Sequence, residues 1–309
     1  MNTHVAVYTE SKSVFEQLKL ASNTTNFILE LNPNWEEFKD NHFIICDLLS
    51  FEDMQDKFEK VSRSLIYVIS PLPDEENMRL LERYELHHLV GQNEQIFAPE
   101  IMNHLKKSFA NKIWGLNTYI EDESTVKIIS LSDSKHTNEM IQEALKHFDF
   151  NEYFASPIEY LQVMANELIS NSLYKGPNRK RSEAGLEGLD RKSPVFLKGS
   201  ELVQVTLGMD TKGVALSVQD SFGGLSYELL IKSLKRSFEE KTVMDKKDGA
   251  GLGLYLTFLH SNQFIINYRK DFRTEVICII DKNKRYKNYK QRIRSFHFFQ
   301  EVTGEKTNN

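Results

Sequence analysis

The chain has 309 residues, 40% of them apolar and 27% charged, a profile that excludes a disordered protein and leaves material for two hydrophobic cores. No run of 18 uncharged apolar residues occurs, which excludes a membrane-spanning helix, and the opening MNTHVAVYTESKS lacks the basic-then-apolar order of a signal peptide. The net charge of −5 is unevenly spread: residues 1–100 carry 8 Lys/Arg against 18 Asp/Glu, whereas KNKRYKNYKQRIR (282–294) holds seven basic residues and no acid.

The basic run reads either as a solvated tail or as a docking surface for an acidic partner; with no second basic patch, nucleic acid is not expected. Cys46 and Cys278 lie inside the apolar runs FIICDLL and EVICIID, as buried thiols of a reducing compartment do, and the expected location is cytoplasmic.

Short apolar runs alternate with helical stretches over the first ~110 residues, the order of an α/β sandwich with a parallel sheet. The strands expected are HVAVYT (4–9), NFILEL (26–31), HFIICDL (42–48), SLIYVIS (64–70) and HHLVG (87–91). A longer amphipathic helix, APEIMNHLKKSFANKIWGL (98–116), follows and either closes a domain over 1–116 or links it to the next. Five such units resemble a response-regulator receiver domain, the family in which a strand-ending Asp accepts a phosphoryl group. Asp47 and Ser70 stand where that pattern wants an Asp and a Ser/Thr. The acid pair of the family is reduced to Thr9 and Glu10, and Gly91, Gln92 and Asn93 stand where its Lys belongs. A weakened metal site and a missing cation imply a degenerate receiver that serves dimerisation or docking, with a homodimer left open. Asp47 then caps the following turn, the alternative to a phosphosite.

The second half opens with a strand, STVKIISLSD (124–133), and a helix, TNEMIQEALKHF (137–148). Ser156-Pro157-Ile158-Glu159 is a complete helix start, with Ser at the N-cap, Pro at the first helical position and Glu closing a capping box. In the helix that follows, Ile158, Leu161, Ala165, Leu168 and Ser172 share one face, and Glu167 and Asn171 lie one turn apart with Lys175 a turn beyond. The polar stretch 178–193 reads as a long surface loop. A strand, ALSVQD (215–220), ends in Asp220 and runs into Ser221-Phe222-Gly223-Gly224-Leu225. After a polar segment (226–247) with Lys232, Lys235, Arg236, Lys241, Lys246 and Lys247 comes Asp248-Gly249-Ala250-Gly251-Leu252-Gly253-Leu254, ahead of an apolar helix. Glycines at alternate positions before a helix let backbone N–H groups approach phosphates.

This ordered set resembles the GHKL ATPases (gyrases, heat-shock chaperones, sensor kinases and mismatch-repair ATPases) over about 120–282. ELISN matches the N-box, DSFGGL stands at the G1 box and DGAGLGL matches the G2 box. The resemblance implies a two-layer α/β (Bergerat) ATPase domain over 117–281, a basic tail over 282–309, and ATP and Mg²⁺ as cofactors. Carried over, Asn171 coordinates Mg²⁺, Glu167 is the general base, Asp220 accepts the adenine amino group, and Lys175, Gly223, Gly224, Gly249, Gly251 and Gly253 line the nucleotide. The sequence departs from the family at Phe222, which occupies a glycine position of the G1 pattern, where its ring either packs on adenine or fills part of its pocket.

None of the nine histidines is followed by an acid, which disfavours a histidine autokinase, and 282–309 is too short for the transducer domain of a gyrase or chaperone. The form DxFGGL, with LYKGP and the SFHFF ending, is similar to a bacterial branch of sensor-kinase-like ATPases, and the activity resembles that of the anti-sigma-factor serine kinases. Two readings follow: a Mg·ATP-dependent serine/threonine protein kinase of the partner-switching type fused to a pseudo-receiver, or a non-catalytic scaffold made of the same two folds. The partner in either is a regulatory protein, taken through 282–294 or the receiver-like domain.

Overall fold

The computed structural model describes residues 3–38, 42–93, 96–120, 125–154, 157–183, 188, 194–197, 199–240 and 252–301. It is mixed α/β and divides into two compact units, 1–112 with 292–298, and 113–291 with 299–309. No helix among the described residues is long and apolar enough to cross a membrane.

In the first unit, β1 (Thr3–Tyr8), β2 (Phe27–Leu31), β3 (Phe43–Asp47), β4 (Ile66–Ser70) and β5 (His88–Gly91) form a parallel sheet in the order β2-β1-β3-β4-β5. That is one of the two common doubly wound orders. β3 and β4 read as unbroken apolar runs because α1 (Lys12–Ser22), α2 (Trp35–Phe38), α3 (Leu48–Asp53), α4 (Gln55–Phe58), α5 (Asp74–Tyr84) and α6 (Phe97–Phe109) leave their residues buried on both faces. Helix α1 is capped by Ser11, whose hydroxyl accepts from the Val14 N–H at 3.3 Å.

Helix α6 stops at Phe109 instead of running to 116. Asn111 turns left-handed (φ 49°), a conformation Asn tolerates, and Ile113, Leu116 and Ile120 beyond it are drawn into the core of the second unit.

The second unit is an antiparallel sheet in the order β9-β10-β8-β7-β6, formed by β6 (Val126–Leu131), β7 (Val203–Met209), β8 (Gly213–Asp220), β9 (Gln263–Arg269) and β10 (Arg273–Asp281). Its helices are α7 (Thr137–Leu145), α8 (Pro157–Ser170), α9 (Gly176–Glu183), α10 (Tyr227–Glu240), α11 (Leu252–His260) and α12 (Tyr286–Gln291). Helices α8 and α11 pack on one another and on the sheet. Of the stripe expected on α8, Leu161, Ala165, Leu168 and Ser172 are buried but Ile158 is exposed; Met164 and Ile169 complete the buried face. Ser156 lies outside the described residues.

Three further expectations change. Residues 178–183, read as loop, belong to α9, and Tyr227–Glu240 of the polar 226–247 segment form the amphipathic helix α10, which buries Leu230, Ile231 and Leu234. The stretch 282–309 is not a solvated tail as far as it is described. It forms α12 and then β11 (Ser295–Gln300), whose Phe296 and His297 pair antiparallel with Leu89 and His88 of the first unit. Four of the seven basic residues of 282–294 are paired: Lys282 and Lys284 with Glu152 (3.0 and 2.8 Å), Arg292 with Glu100 (3.4 Å) and Arg294 with Asp74 (2.6 Å). That leaves Arg285, Lys287 and Lys290 as the exposed remainder of the docking surface expected there.

Candidate functional site

In the first unit, the strand-end residues are spent on structure. Asp47 is the N-cap of α3, one oxygen accepting from the Ser50 N–H at 2.8 Å and the other from the Thr9 hydroxyl. Ser70 is buried and donates to Asn77 at 2.6 Å. Asn93, near where a receiver carries Lys, bonds both the carbonyl and the N–H of Ile293 (2.8 and 3.0 Å).

A second polar cluster in that unit escaped sequence reasoning because its members are far apart in the chain. Glu100, His104 and His297 bring three ligand-type atoms within 4.8 Å of one another, all buried. The charge balance argues against a divalent cation: Lys107 and Arg292 are buried with a single carboxylate, and the His104 and His297 rings stack at 3.6 Å instead of converging on one point. Burial holds His88 and His297 below the usual imidazole range, so both are neutral.

The second unit holds a cavity of about 250 Å³. Its apolar lining comes from Leu168, Val218, Leu254 and Val276, and its polar lining includes Asn171, Lys175, Arg179, Asp220, Gly224 and Thr274. An apolar pocket with few convergent polar groups is the usual form of a small-molecule site.

The chain turn that carries Asn171 is unusual. Residues Asn171–Lys175 are π-helical, between α8 and α9. Pro177 has no N–H with which to continue an α-ladder to Leu173, and the wider turn ahead of it brings both Asn171 and Lys175 to the cavity. The Asn171 side-chain nitrogen is buried with no hydrogen-bond partner among the described residues, so structure alone does not account for this amide.

Asp220 ends β8 opposite Thr274 of β10. Its carboxylate accepts from the Phe222 N–H at 2.9 Å, from the Gly223 and Thr274 N–H groups, and from the Ser172 hydroxyl at 3.4 Å. Burial outweighs these donors and raises the carboxyl to about 6. The acceptor of this cavity therefore titrates just below neutral pH.

Phe222 does not line the cavity. Its ring is buried at 1% exposure against Gly176, where an added Cβ would stand 2.5 Å from the ring. Truncating a ring so placed costs about 3–5 kcal/mol, several times what a glycine contributes to turn geometry. The departure from the glycine pattern is thus core packing that fastens the 221–224 turn to α9. Gly223 keeps a left-handed φ of 56°, and its hydrogen faces the Arg269 carbonyl, where any side chain would collide.

Gly253 and Glu167 meet: a Cβ on Gly253, in the first turn of α11, would overlap the Glu167 carboxylate. That carboxylate thus sits at the positive end of a helix, a favourable place for it, and Glu167 is not among the residues lining the cavity. Gly249 and Gly251 lie outside the described residues, as do Lys241, Lys246 and Lys247; Lys232, Lys235 and Arg236 are on the exposed face of α10.

The structure therefore gathers Asn171, Lys175, Asp220 and Gly224 on one cavity and sets Glu167 with Gly253 beside it. Sequence reasoning missed Ser172 and Thr274 as partners of Asp220, and Arg179 altogether. The one signal for Arg179 was its spacing, a turn beyond Lys175 on the same stripe.

No family model matches the sequence, and no curated protein matches it.

Proposed function

We propose that this protein is an ATP-binding signalling regulator of the GHKL type, acting as a Mg·ATP-dependent serine/threonine protein kinase of the partner-switching kind, fused to a pseudo-receiver. The observation that supports it most is the convergence of Asn171, Lys175, Asp220 and Gly224 on one cavity with an apolar floor. The floor suits a flat base, Asp220 accepts from an exocyclic amino group, and Lys175 supplies positive charge for phosphates.

The donor set fits Mg²⁺ in part. The Asn171 amide, with its nitrogen unpartnered among the described residues, is the group that would hold the ion through its oxygen. Bound there, Mg²⁺ supplies neutralisation of phosphate charge. Glu167 is the base that takes the proton of a partner's hydroxyl in this reading.

The second reading, a non-catalytic scaffold, is favoured by the placement of Glu167 against the first turn of α11, where the carboxylate serves the helix end instead of a substrate. Calorimetry of ATP against the full chain, with and without Mg²⁺ and in wild type and Asn171→Ala, tests the proposal. Binding that requires Mg²⁺ and is lost in Asn171→Ala is expected; absence of ATP binding by the wild type would refute it.

A further inference from the structure

We propose that Arg179 is the positioning residue of the cavity, acting on Asp220 through the peptide that joins Phe222 to Gly223. The inference deepens the nucleotide reading and rests on it for the identity of the ligand, though not for the linkage itself.

The geometry is reciprocal. The Phe222 carbonyl and the Gly223 N–H belong to one planar peptide unit and point in opposite directions. The N–H donates to the Asp220 carboxylate, and the carbonyl accepts from Arg179 Nη2 at 2.8 Å. The same nitrogen reaches the Gly223 carbonyl at 3.3 Å. One peptide thus stands between a carboxylate and a guanidinium, and each charge polarises it in the sense that strengthens the other's hydrogen bond.

The guanidinium is itself held. It pairs with Asp271 at 3.1 Å, and Asp271 donates its own N–H to the Gly223 carbonyl at 3.2 Å. Its Nε lies 3.3 Å from where a Cβ of Gly224 would be, so residue 224 admits the side chain only as glycine or with displacement of Arg179. The Phe222 ring packed on Gly176 fixes the same turn to the same helix. These contacts, with Glu183 of α9 a further 3.9 Å partner of the guanidinium, join α9, the 221–224 turn and the hairpin at Asp271, and they fix a cation on the same cavity as Asp220, the acid that lines it among the described residues.

The other charged groups around Asp220 do not replace it. Lys175 lines the cavity from the π-helical turn and is exposed, and Glu167 on α8 lies against α11. On β10, Glu275 is directed away and is taken up by Ser217, Asn267 and the Gly115 N–H, and Arg273 lies over the Trp114 and Phe272 rings. Arg179 therefore sustains the ionised form of Asp220, the form that accepts from a base amino group, against the burial that opposes it.

The test uses the full chain with ¹³C-labelled Asp side chains, Asp220 being assigned by its loss in Asp220→Asn. In ligand-free protein, Arg179→Met is expected to move the Asp220 titration midpoint up by about one pH unit. Arg179→Gln, which can still donate to one carbonyl but carries no charge, should move it in the same direction and serves where the Met variant does not fold. An unchanged midpoint in a folded variant overturns the inference whatever ATP does.

Calorimetry with Mg·ATP is the second arm. An Asp220 midpoint raised by about one pH unit predicts about fivefold weaker binding at pH 6 and convergence with wild type above about pH 8. A loss of equal size at every pH would mean that Arg179, which itself lines the cavity, acts by touching the ligand or by supporting the fold and not through Asp220, and would overturn the inference. Failure of the wild type to bind ATP at all would instead sink the nucleotide reading and leave the ligand-free titration to decide the linkage.

Discussion

Replacing Asp220 by Asn should stabilise the second unit, and by more at neutral pH than in mild acid. The carboxyl is raised from its ordinary 3.8 to about 6, chiefly by burial, so keeping Asp220 ionised costs the folded chain about 3 kcal/mol relative to the unfolded one. Between those two values the folded state holds the extra proton, and stability falls as pH rises. The cost is absent well below pH 3.8 and fully present above about pH 7. From pH 5 to 7.5 the wild type should lose about 1.4 kcal/mol through this group alone. Asn carries no charge, has nearly the same volume, and can still accept the Phe222 N–H on its oxygen. The advantage of the variant over wild type should therefore grow by that same amount between the two pH values, every other titrating group cancelling in the difference. The chain offers a clean readout, because it has two tryptophans and each unit contains one, Trp35 in the first and Trp114 in the second. Urea unfolding followed through Trp114 in a Trp35→Phe background reports on the unit that holds Asp220. A variant whose stability relative to wild type is the same at pH 5 and pH 7.5 would refute the reasoning.

The first unit should show the opposite pH dependence. His88 and His297 are held neutral by burial, so below about pH 6.5 the unfolded chain takes up protons that the folded one refuses. Trp35 fluorescence in a Trp114→Phe background should show stability falling with acid at up to about 1.4 kcal/mol per pH unit for each histidine, and less steeply in His88→Phe, which keeps the stack on Tyr67. Acetyl phosphate should not label Asp47, whose two oxygens are occupied by Thr9 and Ser50; stoichiometric incorporation abolished by Asp47→Asn would overturn that assignment. Glu167→Gln should bind Mg·ATP as wild type does and transfer phosphate to a partner about 10²–10⁴ times more slowly. Turnover that survives in that variant would exclude Glu167 as the base, and its absence in both proteins would favour the scaffold.

What the sequence revealed and what it withheld divide along a physical line. Patterns local in the chain were legible. The apolar runs of β1 to β5 gave their strands to within a residue or two, whereas Asn171 and Lys175 reach the cavity through a π-helical turn that their α-helical spacing did not signal. Misreadings arose wherever a residue answers to something distant. Helix α6 ends early because Ile113, Leu116 and Ile120 belong to another core. The 282–294 run looked like a solvated tail because Glu100 and Asp74, which bury Arg292 and Arg294, lie some two hundred residues earlier. Phe222 looked like a defect in a glycine turn because the space its ring fills is made by Gly176, and Arg179 looked like loop charge because the carbonyls it holds belong to that same turn. These last two are one compensation. A bulky residue at 222 forfeits a freedom that the turn can do without, since Gly223 supplies the positive φ. The ring and the guanidinium then clamp the turn from α9. The geometry of the acceptor Asp220 is thus preserved by a pair of residues, 179 and 222, neither of which suggests its role when read alone.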